Sequence, residues 1–140
     1  MMVAFLLSLF AMLMPVVPAD SAPAGASQLD WLAGTWRTDA LEMTCAATKT
    51  GTACREEGRS AAMKGAAADL TFTGKQLTVA LPSIPASTFT EVARDTRSVS
   101  FEMKTKMGVA RLRFARNGDM LKIERGNDSG WATAMSYRRV

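Results

Sequence analysis

The chain has 140 residues, a formal net charge of +4 and no histidine. The absence of histidine excludes Ser-His-Asp and Cys-His catalysis, His-ligated haem and the usual catalytic zinc sites. The 17 basic residues are spread singly among 13 acidic ones, without the cluster typical of nucleic-acid-binding proteins. We therefore expect no nucleic-acid partner, no metal and no cofactor. Because no pair of carboxylates has suitable geometry for acid–base catalysis, we also expect no enzymatic activity.

The first 24 residues have the pattern of a secretory signal peptide. Residues 3–17 form an apolar run without a charge, and small residues follow up to an Ala-x-Ala cleavage site at 22–24. Cleavage after Ala19 is the alternative. The run is too short for a comfortable membrane span. We therefore expect a cleaved leader over 1–24, a single domain over 25–140, a periplasmic or secreted location and no stable membrane span after cleavage.

Cys45 and Cys54 lie on the two strands of a predicted hairpin whose turn falls within residues 48–51. A loop of two or four residues places the two cysteines directly opposite each other, whereas a three-residue loop shifts the register by one. Opposed positions on neighbouring strands are close enough for a disulfide, and an oxidising compartment favours one. The sequence therefore predicts a Cys45–Cys54 bridge.

The same register gives Glu56 two possible positions. Glu56 shares a face with Leu41 and Met43, so it points inward if they do, and a buried carboxylate then needs a basic side chain or a ligand as partner. Alternatively, the hairpin extends past the rim of the barrel and Glu56 lies in water. The polar segment around it favours the second interpretation.

Two further turns predict hairpins with apolar residues on one face. Gly74 at the first central position of a two-residue turn predicts Phe72 opposite Leu77 and Leu70 opposite Val79. The dipeptide at 117–118, Asn-Gly, is the strongest short hairpin signal. With its neighbouring strands it predicts Phe114 opposite Leu121, Leu112 opposite Ile123, Arg111 opposite Glu124, Phe101 opposite Ala110 and Val99 opposite Leu112.

Alternation of apolar and polar residues dominates the chain, and no segment after the leader has a convincing helical pattern. Residues 82–87 contain two prolines and are predicted as a loop. Eight to ten short strands in sequential hairpins predict an all-β fold, an up-and-down antiparallel barrel. Trp131 and Thr133 are predicted to continue its inner face. The candidate ligand-binding lining is Met43, Phe72, Val79, Phe89, Phe101, Phe114, Ile123, Met135 and Tyr137.

The segment Gly34-Thr35-Trp36, placed before this meander, resembles the Gly-x-Trp signature that opens lipocalin-like (calycin) barrels. The resemblance implies that Trp36 closes the barrel floor beneath an arginine of the last strand, here Arg138, with Arg139 as the other candidate. A guanidinium over a Trp face adds cation–π attraction to an apolar plug.

The chain more closely resembles the DUF6265-type family of exported bacterial proteins with lipocalin-like barrels. The resemblance rests on residues 31–37, 101–102, 117–121 and 131–139. The family's Pro- and Gly-rich stretch and its His-Asp-Phe-Pro motif would fall on 59–65 and 104–110, where they are missing. A site built from those motifs is therefore not expected here.

These observations favour an exported binding module for a small apolar or amphipathic ligand, although the same inward residues would also serve to fill the barrel. The alternative is an exported inhibitor or interaction protein that acts on a secreted or envelope enzyme. Such an inhibitor would carry its determinants on loops or on the tail at 25–29, whereas a carrier would carry them inside.

Overall fold

Ten antiparallel strands follow one another around a closed barrel in the computed structural model, which describes residues 29–140. The predicted leader lies outside the described residues. The strands are β1 (Gly34–Arg37), β2 (Leu41–Ala47), β3 (Gly51–Gly58), β4 (Ala67–Thr73), β5 (Gln76–Leu81), β6 (Ile84–Asp95), β7 (Ser98–Thr105), β8 (Gly108–Asn117), β9 (Met120–Asn127) and β10 (Gly130–Arg139).

Each strand pairs with its neighbours in sequence, and β1 closes the ring by pairing with β10, where Trp36 lies opposite Arg139. Within residues 29–140 the helical segments are two short 3-10 turns, Asp30–Leu32 and Ala61–Met63. The predicted all-β, up-and-down antiparallel barrel is confirmed. Two residue pairs close the ring, and within residues 29–140 the rest of the β10 edge, residues 130–137, has no strand partner on the β1 side.

The β4–β5 hairpin has the predicted register. Phe72 lies opposite Leu77 and Leu70 opposite Val79, around a turn in which Gly74 has a φ of +59°. A side chain at that position would be strained, because L-residues other than glycine rarely adopt positive φ. The glycine therefore sets the turn and, through the turn, the register.

The predicted register of β8 and β9 is wrong by two residues. The turn is Gly118-Asp119, with Gly118 at a φ of +63°, so Phe114 lies opposite Ile123 and Arg113 opposite Glu124. The β7–β8 register also differs by two residues, with Phe101 opposite Leu112 and Val99 opposite Phe114. Because side chains alternate with a period of two, a shift of two residues keeps every side chain on its predicted face.

A bulge near the start of β10 reverses the predicted orientation of Trp131. Trp131 pairs with Gly126 and Thr133 with Arg125, so two steps along β10 match one step along β9. The extra residue turns Trp131 to the outer surface, where the Arg113 guanidinium lies 4.2 Å from its ring centroid. Thr133 stays on the inner face, as predicted.

The predicted loop at 82–87 is also wrong, because β6 already begins at Ile84. Leu81 pairs with Ile84 across a turn of two residues, and the register is irregular between Val79 and Leu81. Such an irregularity tolerates Pro85, which has no N–H to donate to the ladder.

The predicted disulfide between Cys45 and Cys54 is confirmed. The two residues lie directly opposite each other on β2 and β3, and the bond joins their buried side chains inside the barrel. The sequence separation is 9 residues, so the bridge closes a short loop of the unfolded chain.

We expect reduction of this bridge to lower the free energy of unfolding by about 2–3 kcal/mol, because a short loop loses little entropy on closure. The measurement compares denaturant unfolding of the oxidised and reduced protein, which have the same side chains. A Cys45→Ala/Cys54→Ala variant serves as the control and should not respond to reductant. Equal stability of the two redox forms would contradict the prediction.

Candidate ligand-binding site

The N-terminal segment closes one end of the barrel, which we call the closed end. Leu29 and Leu32 are buried there beside Trp36. The indole Nε1–H of Trp36 donates to the Leu32 carbonyl at 2.8 Å, and the Leu29 amide donates to the buried hydroxyl of Thr52 at 3.1 Å. We call this buried segment around Leu29 and Leu32 the plug. Its hydrogen bonds give partners to the Leu29 amide and the Leu32 carbonyl, as buried polar groups require.

Two guanidinium groups lie over the Trp36 ring, those of Arg116 at 5.2 Å and Arg139 at 5.7 Å from its centroid. The structure thus places Arg139, not Arg138, above the tryptophan. Arg138 lies one residue earlier on β10, opposite Arg37, and is exposed. Because Tyr137 is buried inside, strand alternation turns Arg138 outward and Arg139 inward.

Gly34 leaves room for this arginine. A Cβ atom at Gly34 would lie 3.2 Å from Nη2 of Arg139, and Gly34 has a φ of +128°. Both the backbone and the close approach therefore require glycine. This explains physically why glycine precedes tryptophan by two positions at this end of the barrel.

We expect Arg139→Ala to lower the free energy of unfolding by about 0.5–1 kcal/mol through loss of the cation–π contact. Arg138→Ala is the matched control, with an expected change within about 0.5 kcal/mol for an exposed side chain. Urea unfolding monitored by circular dichroism measures both. A larger loss for Arg138→Ala would refute this assignment.

Aromatic packing fills the half of the barrel next to the plug. The ring centroids of Phe72, Phe101 and Phe114 lie 5.3–6.2 Å apart, a range typical of stabilising aromatic pairs. Leu77 and Leu121 are fully buried around them. This half of the interior is therefore filled.

The other half is hollow and opens at the opposite end, which carries the turns at 82–83, 106–107 and 128–129 and which we call the mouth. A cavity of about 280 Å³ lies inside it, at the lower end of the range for small-molecule sites. Its lining residues are Met43, Glu56, Ala68, Leu70, Val79, Leu81, Leu112, Phe114, Ile123, Arg125, Thr133, Met135 and Tyr137. A second cavity of about 230 Å³ shares Val79, Leu112 and Arg125 with the first.

The predicted lining residues divide between these two halves. Phe72 and Phe101 belong to the filled half, and Phe89 lines the second cavity. The predicted residues that line the larger cavity are Met43, Val79, Phe114, Ile123, Met135 and Tyr137.

Glu56 points into the cavity and accepts a hydrogen bond from the Tyr137 hydroxyl. The favoured interpretation, in which Glu56 lies in water beyond the rim, is therefore wrong. Glu56 lies opposite Met43 on β2, and Met43 in turn lies opposite Trp36. Its carboxylate therefore lies inside the barrel wall, beside the Tyr137 hydroxyl.

Burial raises the pKa of Tyr137 well above its ordinary value, and the adjacent Glu56 carboxylate raises it further, while Arg125 acts in the opposite direction. A buried phenolate beside a carboxylate would be doubly unfavourable. Tyr137 therefore stays protonated and acts as the donor, and Glu56 is the acceptor.

Arg125 is the functional candidate that the sequence analysis missed. Its side chain lines both cavities near the mouth, and it forms no hydrogen bond or ion pair with another residue of the described part of the chain. The available signal was the alternation along β9, which places Arg125 on the same face as Leu121 and Ile123.

The comparisons with known proteins found no match. No family model matches the chain, and neither the curated proteins nor the solved structures contain a significantly similar protein. Within residues 29–140, no group of three or more Cys, Asp or Glu side chains is arranged to hold a metal ion. The same residues contain no helix that is long and apolar enough to cross a membrane.

We expect Tyr137, the only tyrosine, to remain un-ionised in the folded protein at pH values where a free phenol titrates. Because its folded pKa is raised, its contribution to stability is present below about pH 10, the unfolded pKa, and is lost as the pH rises above that value. Phenolate absorbance in native and denaturant-unfolded protein measures the shift. The Tyr137→Phe variant reports the alkaline stability loss caused by other groups, and equal titration in both states would refute the shift.

Proposed function

We propose that this protein binds a small amphipathic molecule in the open half of its barrel. The observation that carries the proposal is the cavity of about 280 Å³, whose lining is mostly apolar and includes the polar side chains of Glu56, Arg125, Thr133 and Tyr137. Ligand sites typically combine apolar surface with a few placed polar groups. The filled half acts as a rigid base for this site.

The cost of an empty interior supports a binding role. A core that loses contacts to a void is destabilised in proportion to the void volume, and the aromatic half shows that this chain fills space where its side chains allow it. A barrel with a purely structural role would gain stability from larger residues at Ala68 or Val79, both of which line the cavity.

Export remains part of the proposal. The Cys45–Cys54 disulfide is typical of oxidising compartments such as the periplasm or the extracellular space. Membership of the DUF6265-type, lipocalin-like family also remains a proposal, supported by the closed up-and-down barrel and by the Gly34–Trp36 arrangement under Arg139.

The alternative role as an exported inhibitor receives less support. That role predicts determinants on loops or on the tail at 25–29, and Leu29, the one member of this tail that the structure describes, is buried at the closed end. The cavity, by contrast, places chemically distinct groups inside, where a carrier needs them.

We expect octanoate and octylamine to bind, and Met135→Trp to weaken both by about tenfold or more, which is about 1.4 kcal/mol. Met135 lines the cavity near the mouth, so a larger side chain there occupies ligand space. The matched control is Ala134→Trp, because Ala134 is the preceding residue of β10 and faces outward. Isothermal titration calorimetry measures affinity after denaturant-based delipidation and refolding.

Native mass spectrometry of gently purified protein is the companion experiment. A reproducible extra mass that is lost on denaturation would support carriage and give the mass of the natural ligand. If neither probe binds and the folded protein carries no extra mass, the proposed binding function is wrong.

A further inference from the structure

We propose that the ligand is bipolar, with an ammonium group that meets Glu56 beside the Tyr137 hydroxyl and an anionic carboxylate or phosphate that meets Arg125. This inference rests on the proposed binding function and adds the chemical class and the orientation of the ligand. It follows from two opposite charges that face one cavity without pairing.

The outer surface shows how this chain normally arranges its charges. Four of the seven ion pairs among residues 29–140 join side chains directly across neighbouring strands, with N···O distances of 2.6–2.9 Å. These pairs are Arg37 with Glu42, Arg55 with Asp69, Arg111 with Glu102 and Arg113 with Glu124. The other three pairs join residues of one strand, so pairing of opposite charges is common on that face.

The inner face departs from this pattern. Glu56 and Arg125 both line the larger cavity, yet neither forms an ion pair with any residue in 29–140. They project from β3 and β9, on separate parts of the barrel wall. Because neither charge is paired within the described residues, each is available to a ligand in the cavity.

Glu56 needs a cationic donor. One carboxylate oxygen accepts the Tyr137 hydroxyl, but a phenol is neutral and leaves the negative charge uncompensated. The other oxygen has no donor among the described residues. A partly buried carboxylate is stabilised most by a positive group within hydrogen-bond distance, and a primary ammonium supplies the charge and up to three donors.

Arg125 needs an anion. A guanidinium presents a planar set of donors that matches a carboxylate or phosphate in bidentate geometry. Arg125 is exposed at the mouth, where a ligand headgroup would remain in contact with water. A cation at this position would be repelled, so the anionic end of the ligand meets Arg125 and the ammonium end meets Glu56.

Apolar side chains line much of the cavity that the two charges share, with Ile123 and Met135 as examples. The two charged ends of the ligand are therefore joined by an apolar chain.

Three probes with the same chain length test the inference on the wild-type protein by isothermal titration calorimetry. We expect 8-aminooctanoate to bind at least about tenfold more tightly than octanoate or octylamine, because it satisfies both charges. These comparisons involve no mutation and do not depend on the folding of a variant.

Two variants then assign each end. Glu56→Gln retains an amide oxygen that accepts the Tyr137 hydroxyl, and it should reduce 8-aminooctanoate to the affinity of octanoate while leaving octanoate binding no weaker. Arg125→Gln should reduce it to the affinity of octylamine. The matched controls are Glu57→Gln and Arg138→Gln, two exposed positions that should bind the probe as the wild type does.

The outcomes separate the two proposals. If octanoate or octylamine binds but 8-aminooctanoate binds no more tightly, the bipolar inference is overturned and the binding function stands. If 8-aminooctanoate binds most tightly but Glu56→Gln and Arg125→Gln leave its affinity unchanged, the assignment of its two ends is overturned. If none of the probes binds, the bipolar inference is overturned, and if the folded protein also carries no extra mass, the proposed binding function fails with it.

Discussion

Closure of the barrel by its shortest strand is the constraint on which the rest of the structure depends. β1 has four residues, and two of them, Trp36 and Arg37, pair with β10. Once the ring closes, the period of two divides each strand into an inner and an outer face. The Trp36 side chain therefore points inward and packs beside Leu29 and Leu32, and its indole N–H donates to the Leu32 carbonyl.

The interior is divided along the barrel axis and not uniformly filled. Large aromatic side chains fill the levels next to Trp36, whereas Ala68, Val79 and Thr133 occupy inner positions closer to the mouth. The same division separates the closely packed aromatic side chains from the charged side chains of Glu56 and Arg125. The filled half contributes stability through buried apolar area, and the hollow half holds the carboxylate and the guanidinium that an apolar core would not tolerate unpaired.

The fold was largely predictable from the sequence because its signals are local. Alternation of apolar and polar residues predicts the inner faces. Gly74 predicts the register of β4 and β5, and the opposed cysteines predict that of β2 and β3. Errors of two residues around β8 did not matter for the faces, since the period is two. Alternation predicts the wrong face for Trp131, because the bulge adds a residue without a clear sequence signal. The prolines predict a loop at 82–87, although an irregular strand pairing accommodates Pro85.

The site was less predictable because its members come together only through the tertiary structure. Glu56 and Tyr137 are 81 residues apart in sequence, and nothing near Glu56 indicates that the opposite wall supplies a hydroxyl. Arg125 follows the inner alternation of β9, but a basic residue on an apolar face is more readily taken as the end of a strand. Which end of a barrel is filled depends on the total volume of the inward side chains at each level. The register decides which side chains share a level, so this volume cannot be estimated before the register is known.

The position of the C-terminal residue has a practical consequence. Val140, whose amide donates to the Thr35 carbonyl, lies at the closed end, whereas the cavity opens at the other. A tag, surface attachment or fused domain at the C-terminus therefore leaves the entrance unobstructed. The turns around the entrance can be lengthened or exchanged without disturbing the ring closure, so this barrel offers a scaffold whose specificity can be redesigned separately from its stability.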